Sequence, residues 1–204
     1  MLVSAAITTV LPSVASAQLE EVLVTAERKE ASVQDVPLAV SAYSEEMIER
    51  LQIDDTLDLI NVVPNLFGGN NTGLGTANMY YLRAQGNDES ISTFDPPVGT
   101  YVDDVYITRQ NVNNVALVDV ERIEVLRGPQ GTLYGRNTIG GAIKFVSRDP
   151  SETPEFSASA TLGSYDQTDL SFGVSGPVAG DKVLGKAAIA YLSRDGYADN
   201  SVDG

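Results

Sequence analysis

The stretch 120–147 constrains the fold more than any other part of the chain. A β-prone run, 122–126, and a second, 142–147, enclose a connection with glycines at 128, 131, 135, 140 and 141. A backbone so rich in glycine needs positive φ or very close approaches. A phosphate-binding loop is excluded. Gly135 and Gly140 have the right interval, but Gly141-Ala142 stand where Lys and Ser/Thr are required, so nothing would reach the β- and γ-phosphates.

Other elements follow from local chemistry. Strands are expected at 79–83, 99–102 and 105–108, with Asp103-Asp104 as a tight turn between the last two. Ser44 can cap a helix over Glu45–Leu51, whose first turn carries Glu45 and Glu46 near the positive end of the dipole. Asp54 or Asp55 can cap a second helix, 56–61, which must stop before Pro64. Residues 65–77, rich in Gly and Asn, are expected to be loop. These pieces make an α+β domain over 35–150.

After Pro150 the pattern changes. Phe156, Ala158, Ala160 and Leu162 alternate with Ser157, Ser159 and Thr161; Leu170, Phe172 and Val174 alternate with Asp169, Ser171 and Ser175. Ala187, Ile189 and Tyr191 continue the pattern less cleanly, and 176–181 reads as a turn. Such strands suit a transmembrane barrel. They equally suit the edge of a soluble β-sandwich. Periodicity alone does not separate the two.

At the other end, residues 1–17 are uncharged, apolar and small, ending Ala15-Ser16-Ala17 before Gln18. This reads as a secretory signal peptide, although no Lys or Arg precedes its apolar part. A buried N-terminal strand or helix is the other reading. The mature chain is then expected to begin near Gln18, with a β-prone segment at 19–26 and a polar linker to residue 34.

Charge and residue usage remove several function classes. The net charge is −15, the wrong sign for non-specific nucleic-acid binding or for a basic membrane-surface patch. Cys and His are both absent. Disulfides, Cys/His metal sites and Ser-His triads are thereby excluded within these residues. Asp103, Asp104, Glu121 and Glu124 could form acid/base pairs, but no pattern marks them, and Glu121 and Glu124 read as solvated. No catalytic residue, metal site or cofactor is implied.

Several segments resemble one family in order and at plausible spacing. Glu20-Glu21-Val22-Leu23-Val24-Thr25-Ala26 resembles the TonB box of TonB-dependent outer-membrane receptors. Leu59-Ile60-Asn61-Val62-Val63-Pro64-Asn65-Leu66 resembles an early segment of their plug domain. Tyr81-Leu82-Arg83-Ala84-Gln85-Gly86 and Val98-Gly99-Thr100-Tyr101-Val102-Asp103-Asp104-Val105 resemble two more, with Ala84 and Asp104 where the family usually has Gly. The most specific match spans 120–143 and includes Arg127-Gly128-Pro129-Gln130-Gly131 and Gly140-Gly141-Ala142-Ile143.

The resemblance implies an α+β plug domain followed by the first antiparallel strands of a transmembrane β-barrel, which in this family has about twenty-two strands. It implies a signal peptide (1–17), TonB box and linker (18–34), plug (35–150) and incomplete barrel (151–204). It implies uptake of a scarce ligand, most often a ferric siderophore or similar chelate, across the outer membrane. TonB and its inner-membrane energising complex would drive uptake through residues 20–26 by strand addition, with outer-membrane lipid around the barrel. An ordered first strand of the plug is the competing reading of 20–26. A box so close to Gln18 leaves no room for a further signalling domain between the two, which favours transport. Arg83 and Arg127 are the plug charges expected to face acidic groups on the barrel wall, or else ordinary solvent. Ligand contact is expected on the loops 70–76 and 87–93, at Asn70, Asn71, Thr72, Asn87, Asp88 and Ser90. The rival to this picture is a soluble exported binding or adhesion module with a β-sandwich tail.

Overall fold

The computed structural model describes residues 22–26, 28–29, 31–71, 74–91, 93–115 and 117–196. The expected signal peptide, together with Glu20, Glu21 and Thr72, lies outside the described residues.

A two-residue ribbon opens the described chain: β1 (Leu23–Val24) pairs antiparallel with β2 (Ala31–Ser32). The central sheet follows. It contains β3 (Val40–Ser44), β7 (Val98–Val102), β8 (Val105–Ile107), β9 (Val120–Arg127) and β10 (Gly141–Ser147), in the order β3-β9-β10-β7-β8. The pair β10 and β7 is parallel and its other neighbours are antiparallel. β9 and β10 are the two β-prone runs around the glycine-rich connection. Gly128, Gly135 and Gly141 in or beside that connection have φ of 104°, 84° and 147°. At Gly141 a Cβ would lie 2.1 Å from the Leu126 carbonyl oxygen, so only glycine lets β10 begin there.

Helix α1 (Glu45–Leu51) begins after Ser44, as its capping pattern predicts, although the Ser44 side chain makes no capping bond. It ends at Gln52 in the left-handed conformation. Asp55 caps the next turn, where its carboxylate accepts from Leu57 N, and Asp58 reaches back to Asp55 N. A 3-10 turn (Thr56–Asp58) then continues into α2 (Leu59–Val62), which stops before Pro64. A third one-turn helix, α3 (Gly131–Tyr134), sits inside the glycine-rich connection.

Residues 66–71 and 74–77 are strand, not loop. They contribute β4 (Leu66–Asn71) and the start of β5 (Leu74–Leu82), an antiparallel pair continued by β6 (Gln85–Gly86). Glycine favours the pairing here: a Cβ on Gly68 would meet the Met79 carbonyl oxygen at 2.4 Å. Leu66, Tyr80 and Leu82 are then buried in the core. The β5–β6 turn uses Arg83 and Ala84, and the β7–β8 turn uses Asp103 and Asp104, all four at positive φ. Both are two-residue hairpins of the twist that right-handed strands require.

Alternate residues of the central sheet face two different layers. Ile123, Val125, Ile143 and Phe145 pack with Tyr43, Ile48, Leu59, Val63, Leu66 and Leu82. The opposite face carries Leu126, Ala142 and Tyr101, covered by Val24, Ala26, Val36 and Tyr134. Glu124 and Lys144, directly paired across β9 and β10, share this second face.

The last three strands form an antiparallel meander: β11 (Glu155–Leu162), β12 (Thr168–Ala179) and β13 (Val183–Ser193). The turn expected at 176–181 lies later. β12 runs to Ala179 past a register shift at Pro177, and the chain reverses at Gly180–Lys182. Phe156 pairs with Val174, Ala158 with Phe172, and Phe172 with Ile189, so the meander has one continuous apolar face. That face is exposed: Phe156 is 77% accessible, Leu162 80% and Ile189 70%. The polar face turns toward the sheet domain, where Lys186 Nζ lies 2.8 Å from Asp119 Oδ2. No helix among the described residues is long and apolar enough to cross a membrane, which leaves strand-based crossing open.

Candidate functional site

The second face of the central sheet holds a buried polar site. Four side chains, Glu124, Lys144, Arg122 and Tyr134, converge on Thr25 and Ala26. Glu124 Oε1 accepts from Thr25 N at 2.8 Å and from Thr25 Oγ1 at 3.1 Å. Lys144 Nζ donates to Thr25 Oγ1 at 2.9 Å and to the Thr25 carbonyl at 3.3 Å. The Tyr134 hydroxyl donates to the Ala26 carbonyl at 2.8 Å. Behind them, Arg122 Nε donates to Glu124 Oε1 at 2.9 Å, and Lys144 Nζ lies 3.1 Å from Asp104 Oδ1. Glu124 and Lys144 side chains are 0% and 1% exposed.

Two details set the electrostatics. Glu124 Oε2 is buried and has no hydrogen-bond partner among the described residues, while Lys144 Nζ stands 3.9 Å from it. Burial, then the nearby Glu124 and Asp104 carboxylates, push the Tyr134 phenol well above its ordinary value. Burial, with Tyr106 beside it, pushes Tyr101 up to about 12. Both phenols therefore stay protonated donors at neutral pH. A cavity of about 330 Å³ opens on the site, with Thr25, Asp104, Arg122, Lys144 and Lys186 in its lining.

Residues 22–26 are therefore not an unpaired strand. β1 pairs with β2, Val33 N donates to the Val22 carbonyl, and Val24 and Ala26 are completely buried. Leu23 alone of this group presents a largely exposed apolar side chain. The solvated reading of Glu124 is also overturned. Its strand is covered on that face by the segment around Thr25, which lies 99 residues away in the sequence. Glu121 remains partly exposed and is held by Arg122 at 2.6 Å.

The two arginines singled out from the sequence lie elsewhere. Arg83 is exposed in the β5–β6 turn, with its Nη1 against Gly128. Arg127 is half-buried and its Nε donates to the Ala39 carbonyl at 3.4 Å. Neither forms an ion pair among the described residues.

Three loops meet at one end of the sheet domain. Asn71 Nδ2 donates to the Asp88 carbonyl, and Gln110 Nε2 donates to the Asn87 carbonyl at 3.0 Å. Thr76 Oγ1 donates to the Asn111 carbonyl at 2.8 Å. Asn87 makes a local turn with Glu89, Asn70 lies on β4 and Ser90 is half-buried. Residues 109–114 thus join the two loops expected from the sequence. Ile91, Phe94 and Val112 add exposed apolar surface, and Arg109 pairs with Asp95 at 3.5 Å.

Sequence reasoning missed Lys144, Arg122 and Tyr134 as site residues. One signal was available: Lys144 is the only charge in the otherwise apolar run of β10.

Comparison with known proteins gives the family. The family model "TonB-dependent Receptor Plug Domain" matches residues 32–142, more than half of the chain. The pesticin receptor of Yersinia pestis is 30% identical over 203 residues, covering 95% of this chain and 29% of the receptor. The vitamin B12 transporter BtuB of Vibrio vulnificus is 25% identical over 183 residues, covering 90% of this chain and 29% of the transporter. This chain thus spans under a third of the length of either relative. Among solved structures, the ferric yersiniabactin uptake receptor FyuA from Yersinia pestis superposes with a TM-score of 0.68 at 30% identity, covering 75% of this chain and 24% of that one. The pyoverdine outer membrane receptor FpvA from Pseudomonas aeruginosa superposes with a TM-score of 0.73, covering 87% of this chain and 25% of that one; at 19% identity it supports the fold alone. The chain belongs to the TonB-dependent receptor family and carries its plug domain, followed by antiparallel β-strands of the kind found in those receptors.

Proposed function

We propose that this chain is the gating portion of an outer-membrane receptor that takes up a scarce ligand, with a ferric siderophore or similar chelate as its cargo. It acts as a transporter component, not an enzyme. Residues 35–150 are the plug, 151–204 start the barrel, 20–26 receive TonB, and 1–17 direct export. The plug closes the barrel lumen and faces the periplasm.

The observation that carries this reading is the polarity of β11–β13. Their apolar side chains point away from the rest of the protein, and their polar side faces the plug. A soluble sandwich would bury the apolar face. A barrel wall puts it against lipid and keeps the polar face for the lumen. The relatives are named for different ligands, pesticin, vitamin B12 and ferric yersiniabactin. The loop cluster around Asn71, Asn87 and Asp88 is where this chain would meet its own.

Strand addition depends on main-chain hydrogen bonds, and proline removes a donor and fixes φ. In the full-length receptor, Val24→Pro is expected to abolish energised uptake of a radiolabelled ferric siderophore while binding to the cell surface persists. Normal uptake by this variant would defeat the assignment of residues 20–26 to TonB.

A further inference from the structure

We infer that Glu124 and Lys144 form an exchange latch: they hold Thr25 while the N-terminal segment is docked, and pair with each other when it leaves. The inference rests on the reading of residues 20–26 as the segment that receives TonB.

The bonding inventory motivates it. In the docked state Lys144 Nζ has three near acceptors, Thr25 Oγ1, the Thr25 carbonyl and Asp104 Oδ1. Glu124 Oε1 takes three donors, Thr25 N, Thr25 Oγ1 and Arg122 Nε. Yet Glu124 Oε2 takes none and is buried. An orphaned carboxylate oxygen in a closed interior is costly, and an ammonium waits 3.9 Å away.

Departure of Thr25 takes two donors from Glu124 and two acceptors from Lys144 while it uncovers this face. A shift of about 1 Å brings Lys144 Nζ within hydrogen-bond distance of Glu124 Oε2, and the partners lost from Thr25 are replaced by a direct ion pair. Asp104 and Arg122 stay in place on either side. The segment is thus firmly placed at rest, but its departure leaves a satisfied site behind. Tyr134 adds a bond to the Ala26 carbonyl that has no such replacement and sets the resting position.

These 204 residues contain no cysteine, so in a full-length receptor cleared of any other cysteine Val24→Cys supplies a single reporter. Its side chain is buried when docked and reacts with a maleimide only on release. In isolated outer membranes carrying the full-length receptor, adding Thr25→Val is expected to speed labelling at least about tenfold, because bonds to charged partners are lost. Thr25→Ser, which keeps the hydroxyl, is expected to retain the slow rate. Thr25→Ala replaces the Val variant if that one does not accumulate. Equal rates for Thr, Ser and Val overturn the latch.

The exchange itself is read in a receptor whose residues 22–26 are replaced by Gly and Ser. There, Glu124→Gln and Lys144→Met are expected to lower the urea midpoint with a larger non-additivity than in the intact receptor, since each removes the same tightened pair. A non-additivity no larger than that of the intact receptor overturns the exchange. Labelling is measured without any energising partner. A failed latch therefore leaves the uptake result for Val24→Pro standing, and normal uptake by Val24→Pro removes the assignment of residues 20–26 to TonB without altering the labelling rates.

Discussion

Asn113 pairs with the main chain of Asn78 as another strand would. Its Nδ2 donates to the Asn78 carbonyl and its Oδ1 accepts from Asn78 N, both at 2.8 Å. Both residues are almost wholly buried. Asn78 Nδ2 in turn donates to Thr56 Oγ1 at 2.7 Å, so Asn113 holds β5 to the 109–114 loop and Asn78 holds it to the 3-10 turn that begins at Thr56. Asn113→Asp keeps the shape and loses the donor, setting a carboxylate oxygen against a carbonyl. The expected cost is roughly 2–4 kcal/mol, the upper range for an unpaired buried polar group. The urea midpoint of the purified receptor measures it, and a loss under about 0.5 kcal/mol would contradict this pairing.

The buried pair on the second face yields a different signature. Lys144→Met alone leaves Glu124 with too few partners, and Glu124→Leu alone does the same to Lys144. Each is expected to cost about 3–5 kcal/mol. The combined variant removes both charges and is expected to cost clearly less than the two added together. A double-mutant cycle on chemical denaturation measures the difference, and simple additivity would show that the two side chains do not interact.

Asp103 sets an acid limit on the β7–β8 turn. Burial raises its pKa, but hydrogen bonds from Ser147 Oγ and Ser147 N, with Lys186 nearby, outweigh it and hold the carboxyl below its ordinary value. A depressed folded-state pKa contributes stability that is present above the unfolded value, about 3.9, and is lost as pH falls through the lower folded value. Asp103→Asn is therefore expected to be less stable than the parent at pH 7, with the gap closing as pH drops below about 4. Urea midpoints across that range test the sign; a gap that widens toward acid would contradict it.

Much of the sheet domain was legible because its strands are short, β-branched and bounded by turn residues. β9 and β10 could be read from the runs around the glycine-rich connection, and α1 from Ser44 with Glu45 and Glu46. The β4–β5 hairpin was hidden because glycine and asparagine signal loops in general, yet at Gly68 the absent Cβ is what permits close pairing with Met79. The burial of Glu124 was equally hidden. Alternation along β9 places it on a face, but what covers that face comes from the far end of the chain. Local pattern cannot report a lid contributed from that distance. Thr25 could be placed in a family segment by its neighbours, but not on Lys144.

The geometry of β1 and β2 also has a mechanical meaning. They run antiparallel with Val22 and Val33 at the open end and Thr25 at the turn end. A load on the amino terminus peels such a ribbon like a zipper, breaking its few rungs in succession rather than all at once. Rupture begins at the Val22–Val33 contact and reaches the charged anchorage of Thr25 last. The central sheet, whose five strands exclude this ribbon, keeps its own ladder throughout. On the proposed role of residues 20–26, a pull at this end would open the ribbon before it loads the central sheet.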